Sequence, residues 1–317
     1  MTKRKPIHIV VATDSNYLVH AGTLLQSIAS NSEGSTLVHV LAFNLTDRDK
    51  ECLNTISHLI QCVFYDVNDK TIEKRFFAGS QINGDRSLAT FSRLLIPELL
   101  PNDISRCFYM DVDAVVLGNL NEIYSTNLDG YAIAGVLDTN PIKRHYAVGL
   151  DDQDNYINAG MILWNLDYCR SNNVVDRFAR FITEHNGNVD AMDQGTINGV
   201  LSKEIKVLHP RANVLTSFFQ MNSNIIKEMY GVRTYSDAEI AEAVTYPVFV
   251  HFTPNFVSRP WIKGCRHPLT HRYWQYRRMI DPNGQAQTDC RSLKIKLLSS
   301  LFYALPWPLY KILLSIR

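Results

Sequence analysis

A chain of 317 residues, 46% of them apolar and 20% charged, has the length to bury one large core or two modest ones. Its net charge of +1 argues against a nucleic-acid partner, which a strongly basic domain would signal, while leaving room for a local anion site. The six cysteines form no CxxC pair, which points to free thiols in a reducing compartment and away from zinc.

The N-terminal apolar run Ile7 to Ala12 is interrupted by His8 and is too short for the core of a signal peptide. "IHIVVAT" (7–13) is instead predicted to be a buried strand that ends in the polar cluster "TDSN". Apolar residues then recur at helical spacing (Leu18, Ala21, Leu24, Leu25, Ile28) up to Asn31 and Gly34. A strand over 36–43, a helix over 47–60 and a strand over 61–67 follow. This alternation predicts an α/β fold: a Rossmann-like, mostly parallel sheet with helices on both faces. In such sheets ligands bind beyond the carboxyl ends of the strands, where "TDSN" and a later "DVD" fall. Further strands are expected at 131–138, 156–166 and 247–253, with a helix over 193–201 and a Pro/Gly-rich basic loop after His251.

"FYMDVDAVV" (108–116) sets two carboxylates, Asp111 and Asp113, into an apolar segment. Residues two apart in a strand share a face, so the two charges would repel unless a cation or a proton relieves them. Hard divalent cations take oxygen ligands and commonly combine one or two carboxylates with substrate phosphates. The same residues satisfy the DxDx[TV] pattern of haloacid-dehalogenase-like phosphatases, in which Asp111 would be the nucleophile. That reading expects the motif on the first strand, whereas a whole βαβαβ unit precedes it here. A third reading is a catalytically silent sugar-nucleotide-binding module. Near His251, Arg259 and Lys263 supply positive charge suited to phosphate oxygens.

Five ordered blocks, "VVATDSNYLVHAGTLLQSI", "FSRLLIPELLP…CFYMDVDAVVLGNL", "YINAGMILWNL", "DQGTIN" and "HFTPNFVSRPW", resemble the family-8 retaining glycosyltransferases over residues 7 to about 275. These include bacterial lipopolysaccharide glucosyl- and galactosyltransferases. The resemblance implies a GT-A fold and transfer of a hexose from UDP-galactose or UDP-glucose to a lipopolysaccharide-core or related glycan. Mn²⁺ is implied as cofactor, with Mg²⁺ as an alternative. By match, Ala12, Asp14 and Asn16 hold uridine and ribose, and Asp111, Asp113 and His251 hold the metal. Arg93 reaches the donor phosphate and sugar, while Asp138, Asn158, Asp193 and Gln194 line the sugar pocket, Gln194 lying beneath the anomeric carbon. The family has a glycine soon after the histidine and a lysine before Pro-Trp. This chain has no glycine there, is about two residues longer and carries Arg259 in the lysine's place, with Lys263 as the other candidate for the diphosphate. Retention leaves open Asp193 or Gln194 below the sugar, or acceptor attack from the leaving-group face, the route preferred here.

The last segment, 291–317, carries five Lys or Arg, no acid, and many aromatic and aliphatic residues. Split by Pro306 and Pro308, its apolar runs fall short of the ~20 residues that span a bilayer. It reads as an amphipathic element for an anionic membrane surface, the alternative being a helix packed on the body. The expected organisation is a catalytic domain over 1–280 and a membrane-associating segment over 281–317, in a cytoplasmic protein peripheral on the inner face of the cell membrane.

Overall fold

The computed structural model describes residues 6–78, 88–254 and 256–315. Seven strands form the main sheet in the order β3-β2-β1-β4-β7-β6-β8, and three more form a small second sheet, β5-β10-β9. In chain order they are β1 (Ile7–Asp14), β2 (Thr36–Phe43), β3 (Ile60–Asp66), β4 (Arg106–Met110), β5 (Ala114–Val116), β6 (Ile133–Leu137), β7 (Ile157–Asn165), β8 (Ile205–Val207), β9 (Val214–Leu215) and β10 (Phe249–His251). The main sheet is mostly parallel, as expected; β7 alone runs against its neighbours, pairing antiparallel with both β4 and β6.

Both faces of this sheet are dry at its centre. Along β4, Phe108 and Met110 join one apolar cluster while Cys107 and Tyr109 join the other; along β7, Met161 and Leu163 oppose Ile162 and Trp164 in the same way. Full burial on two faces explains why these strands read as continuous apolar runs rather than alternating ones. Each fully buried large side chain of this kind contributes about 1.5–3 kcal/mol. The helix Leu18–Asn31 covers one face and lies so close to the helix Thr270–Ile280 that a Cβ at Gly22 would come within 2.8 Å of Ile280.

Two expectations need correction. The helix predicted over 47–60 stops at Asn54, because the Leu59 carbonyl accepts the Thr36 N–H and Ile60 already belongs to β3. More consequentially, 108–116 is not one strand. The chain leaves the main sheet after Met110, and β5 pairs antiparallel with β10 in the second sheet. Asp111, Val112 and Asp113 are the link between the two sheets.

The basic tail forms two helices, Leu293–Ala304 and Trp307–Ser315. They are anchored by Phe302 stacked on Phe256 (centroids 4.0 Å apart), by buried Tyr310, and by Glu228, which accepts from Trp307 Nε1 and pairs with Lys311. Leu293, Leu297, Leu309 and Ile312 nonetheless stay exposed, Leu293 at 84%. Among the described residues no helix is long and apolar enough to cross a membrane.

Candidate active site

The site forms where the sheet topology sends chain ends outward. The carboxyl end of β1 delivers Ala12, Thr13 and Asp14; beside it, the link after β4 delivers Asp111 and Asp113. Together with Tyr17, Arg93, Tyr109 and Arg259 they line a cleft of about 290 Å³. That is the lower end of the ~300–1,000 Å³ of small-molecule sites.

The register of β10 against β5 brings the third member of the cluster in. His251 stands opposite Ala114, and the Phe252 N–H donates to the Asp113 carbonyl, so the imidazole cannot avoid its acidic neighbours. One ligand atom from each of Asp111, Asp113 and His251 lies within 4.8 Å of the others. His251 Nε2 is 3.1 Å from Asp113 Oδ1 and 3.8 Å from Asp111 Oδ2. Strand alternation was thus the wrong reason for the right convergence: the two acids flank a turn rather than share a strand face.

The imidazole's tautomer is fixed by its surroundings. The Gly160 backbone N–H can only donate, and it points at Asn158 Oδ1 (3.0 Å). His251 Nδ1 lies 3.1 Å from the same oxygen and therefore carries the proton, leaving Nε2 to face the carboxylates. Asn213 donates to that oxygen as well. Burial opposes charge on His251, but Asp113 and Asp111 outweigh it and raise the imidazole above its ordinary value. Burial likewise pushes Asp113 up, yet His251 and Arg259 prevail and hold its carboxyl well below the usual range. A hard-oxygen pair plus one neutral-capable imidazole nitrogen, oriented from behind, fits a divalent cation, whose binding would displace the shared proton.

Arg93 is buried and fully committed. It pairs with Asp111 (3.0 Å) and Asp193 (2.9 Å), donates to the Thr90 and Ala159 carbonyls, and lies over the Tyr109 ring. Tyr109 also donates its hydroxyl to Asp111. Arg93 therefore braces the cleft wall by joining the link after β4 to the helix Met192–Leu201.

That helix opens through its cap Ala191 and first residue Met192, two successive non-glycine residues in the left-handed region (φ 55° and 51°). Strain of this sort costs about 1–3 kcal/mol per residue and collects at functional sites. It aims Gln194 inward, where its Nε2 donates to Asp138 (2.7 Å) and its Oε1 accepts from the Ala159 N–H (3.0 Å). Asp138 is raised by burial, with the Thr139 N–H and Gln194 partly offsetting it.

Of the residues singled out from sequence, Ala12, Asp14, Arg93, Asp111, Asp113 and Arg259 line the cleft. His251, Asn158, Gln194 and Asp138 form a connected network behind it, and Asp193 is held beside the cleft by Arg93. Asn16 is exposed and donates to Asp14. Lys263 is exposed and does not line the cleft, whereas Arg259 pairs with Asp113 at 2.7 Å and reaches towards Tyr17. Tyr109, Gly160 and Asn213 were missed; only Tyr109, two residues before Asp111, carried a sequence hint.

An α/β core with this Asp-Asp-His cluster at its strand ends is that of a GT-A glycosyltransferase, which uses a metal and a nucleotide-sugar donor and acts on a glycan acceptor. The chain belongs to glycosyl transferase family 8, whose description its residues 8–265 match, and it is a retaining hexosyltransferase. It is 25% identical to general stress protein A of Bacillus subtilis (strain 168), over 87% of this chain and 94% of that one. It is 22% identical to a lipopolysaccharide 1,2-glucosyltransferase of Escherichia coli, over 82% and 75% respectively. In fold it resembles the crystal structure of galactosyltransferase LgtC with donor and acceptor sugar analogues: TM-score 0.69, 19% identity, 86% of this chain and 95% of that one. The phosphatase and silent-module readings give way to this assignment.

Proposed function

We propose that the enzyme transfers galactose or glucose from its UDP derivative to a lipopolysaccharide-core or related glycan, with Mn²⁺, or alternatively Mg²⁺, held by Asp111, Asp113 and His251. The observation that carries this reading is the convergence of those three side chains on the cleft that also holds the end of β1 and Arg259. A cation there would supply positive charge against the departing diphosphate.

The chain's own residues divide the remaining work. Ala12, Asp14 and Asn16, at and just beyond the end of β1, suit the uridine and ribose. Arg259 already lies against the ligand set and presents a forked, permanently charged donor to phosphate oxygens. Asp138, Asn158 and Gln194 form the floor of the sugar subsite. An amide held at both ends is a poor nucleophile, but its fixed oxygen dipole suits positive charge developing at an anomeric carbon. Asp193 is occupied by Arg93. Both facts favour acceptor attack from the leaving-group face over a covalent intermediate.

The catalytic domain would occupy 1–280 and a membrane-associating segment 281–317, whose exposed leucines and basic residues suit an anionic lipid surface. The enzyme would then be cytoplasmic and peripheral on the inner face of the cell membrane, using a glycolipid or oligosaccharide acceptor and no nucleic acid. Turnover of a UDP-hexose panel with and without Mn²⁺, reading released UDP and the product's anomeric configuration, tests the transferase reading. Undiminished turnover in chelator would remove the metal from it, and an inverted product would exclude the same-face route.

A further inference from the structure

A second cavity, of about 180 Å³, lies apart from the donor cleft, between the segment 256–266 and the helix Leu293–Ala304. Its volume is many times the ~10–15 Å³ that a single water needs. Arg266, Arg291 and Lys296 line it against one carboxylate, Asp289, so positive charge is in surplus. Asp289 is already engaged: Arg291 donates to both its oxygens at 3.0 Å. Two further groups are buried donors without a partner among the described residues. Ser258, 7% exposed, has a buried hydroxyl with no hydrogen-bond partner among the described residues, and Arg291 Nη1 is buried and unpartnered in the same sense. Buried donors are ordinarily satisfied, and leaving one unpaired costs about 1–3 kcal/mol.

We propose that this cavity is a phosphate-binding site, taking the phosphate of an anionic lipid headgroup or of a soluble phosphate ester. The Ser258 hydroxyl and the free Arg291 N–H are the directional donors. Arg266, whose guanidinium lies over the Tyr303 ring, and Lys296, which donates to the Asp289 carbonyl, supply the charge. The helix Leu293–Ala304 that forms one wall also carries the exposed Leu293 and Leu297, so a headgroup here would be held beside an apolar surface. The site does not depend on the transferase reading, since it would bind phosphate whatever reaction the donor cleft performs.

Titration calorimetry of the full-length protein with inorganic phosphate, without metal, tests it. Arg266→Gln combined with Lys296→Gln should weaken binding by about tenfold or more, as loss of charge-assisted hydrogen bonds does. Ser258→Ala should weaken it less, and Arg259→Ala, in the donor cleft, should leave it intact. UDP-hexose turnover on a soluble acceptor should survive the double substitution, which also shows that the variant folds. Displacement of bound phosphate by phosphatidylglycerol vesicles assigns the site to a lipid headgroup; phosphate retained on vesicle-bound protein assigns it to a soluble ester. No phosphate binding by the wild type, or equal binding by the double variant, overturns the proposal. Failure of UDP-sugar turnover alone would count against the transferase reading and leave this site standing.

Discussion

His251 and Gly160 are in such close register that a Cβ added to the glycine would lie 2.1 Å from the imidazole Cε1 and 2.3 Å from Nδ1. The glycine is therefore required by the close approach of the ring to β7, and its N–H also fixes the Asn158 oxygen that orients the ring. Gly160→Ala should push His251 off the Asp111–Asp113 pair. Asn158→Leu should leave the ring in place but unaligned, and loss of such orienting partners costs about 10–100-fold in metal affinity. Mn²⁺ titration of both variants, with circular dichroism as the fold control, checks this. Gly160→Ala is expected to lose the most, and wild-type affinity in both would mean that His251 is not a ligand.

Arg259 rather than Lys263 is positioned to hold the diphosphate, since only the former lines the cleft. Charge-assisted hydrogen bonds are worth about 1.5–3 kcal/mol, so Arg259→Ala should weaken UDP-sugar turnover about tenfold or more. Lys263→Ala should be nearly silent. A crippling Lys263→Ala beside a silent Arg259→Ala would place the basic clamp four residues later in the chain.

Acid should act on activity and stability through different groups. Burial pushes the Asp193 carboxyl up to about 6, Arg93 opposing it and Asp111 reinforcing it. Arg93 stays charged, so below about pH 6 it is Asp193 that gives up the ion pair, and turnover should fall with a midpoint there. Asp193→Asn should abolish that limb of the pH profile. For stability, the folded chain binds a proton at Asp193 between its ordinary 3.8 and about 6 that the unfolded chain lacks, which favours the fold as pH falls. His20, His39 and His267 run the opposite way. Burial holds each down to about 4, so between 6.5 and 4 the unfolded chain is the better proton acceptor and stability drains away. Asp138 and His251, both raised, act with Asp193, while His8 and His145, both held down by burial, act with the other histidines. Five groups then oppose three, and thermal melts should show a lower midpoint at pH 4.5 than at pH 7.

Truncation after Asp289 should release the protein from anionic vesicles while sparing turnover of a soluble acceptor. Each basic residue near an anionic surface contributes about 1 kcal/mol, a term that decays within a Debye length, whereas apolar insertion is not screened by salt. High salt should therefore weaken vesicle binding by the full-length chain without ending it. Equal sedimentation of truncated and intact proteins would reduce the tail to a docked helical pair.

The parallel half of the sheet was legible because burial on both faces leaves long apolar runs punctuated by turn residues. β1 and β2 end within a residue of expectation, and β7 and the helix bearing Gln194 also fall where predicted. What sequence could not show was the change of sheet at Asp111. A three-residue link between two apolar strands has the same local pattern as one long strand, and only the distant partner β10 distinguishes them. The cluster was readable as residue types in order. The ion pairs of Arg93 were not, because an arginine that pairs with two carboxylates looks the same in sequence as one that pairs with none. Gly160 meets His251, and Asn213 meets Asn158, only through tertiary packing, as does the Gly160 carbonyl that accepts the Asp111 N–H.

The link between the sheets has a consequence for how the molecule comes apart. Asp111 and Asp113 belong to the seam after β4, while His251 arrives on a late strand that completes a separate sheet between β5 and β9. A ligand gripping all three would act as a latch, binding the closed molecule and not one from which β10 has peeled away. By mass action, an ion at 100 times its dissociation constant would add about 2.7 kcal/mol to closure of that seam. Proteolysis or hydrogen exchange should then report the latch most strongly at 249–251 and 114–116, with strands β2 and β3 on the far edge scarcely changed. Donor loading and mechanical integrity of the carboxyl-terminal half would be one equilibrium, read at two places.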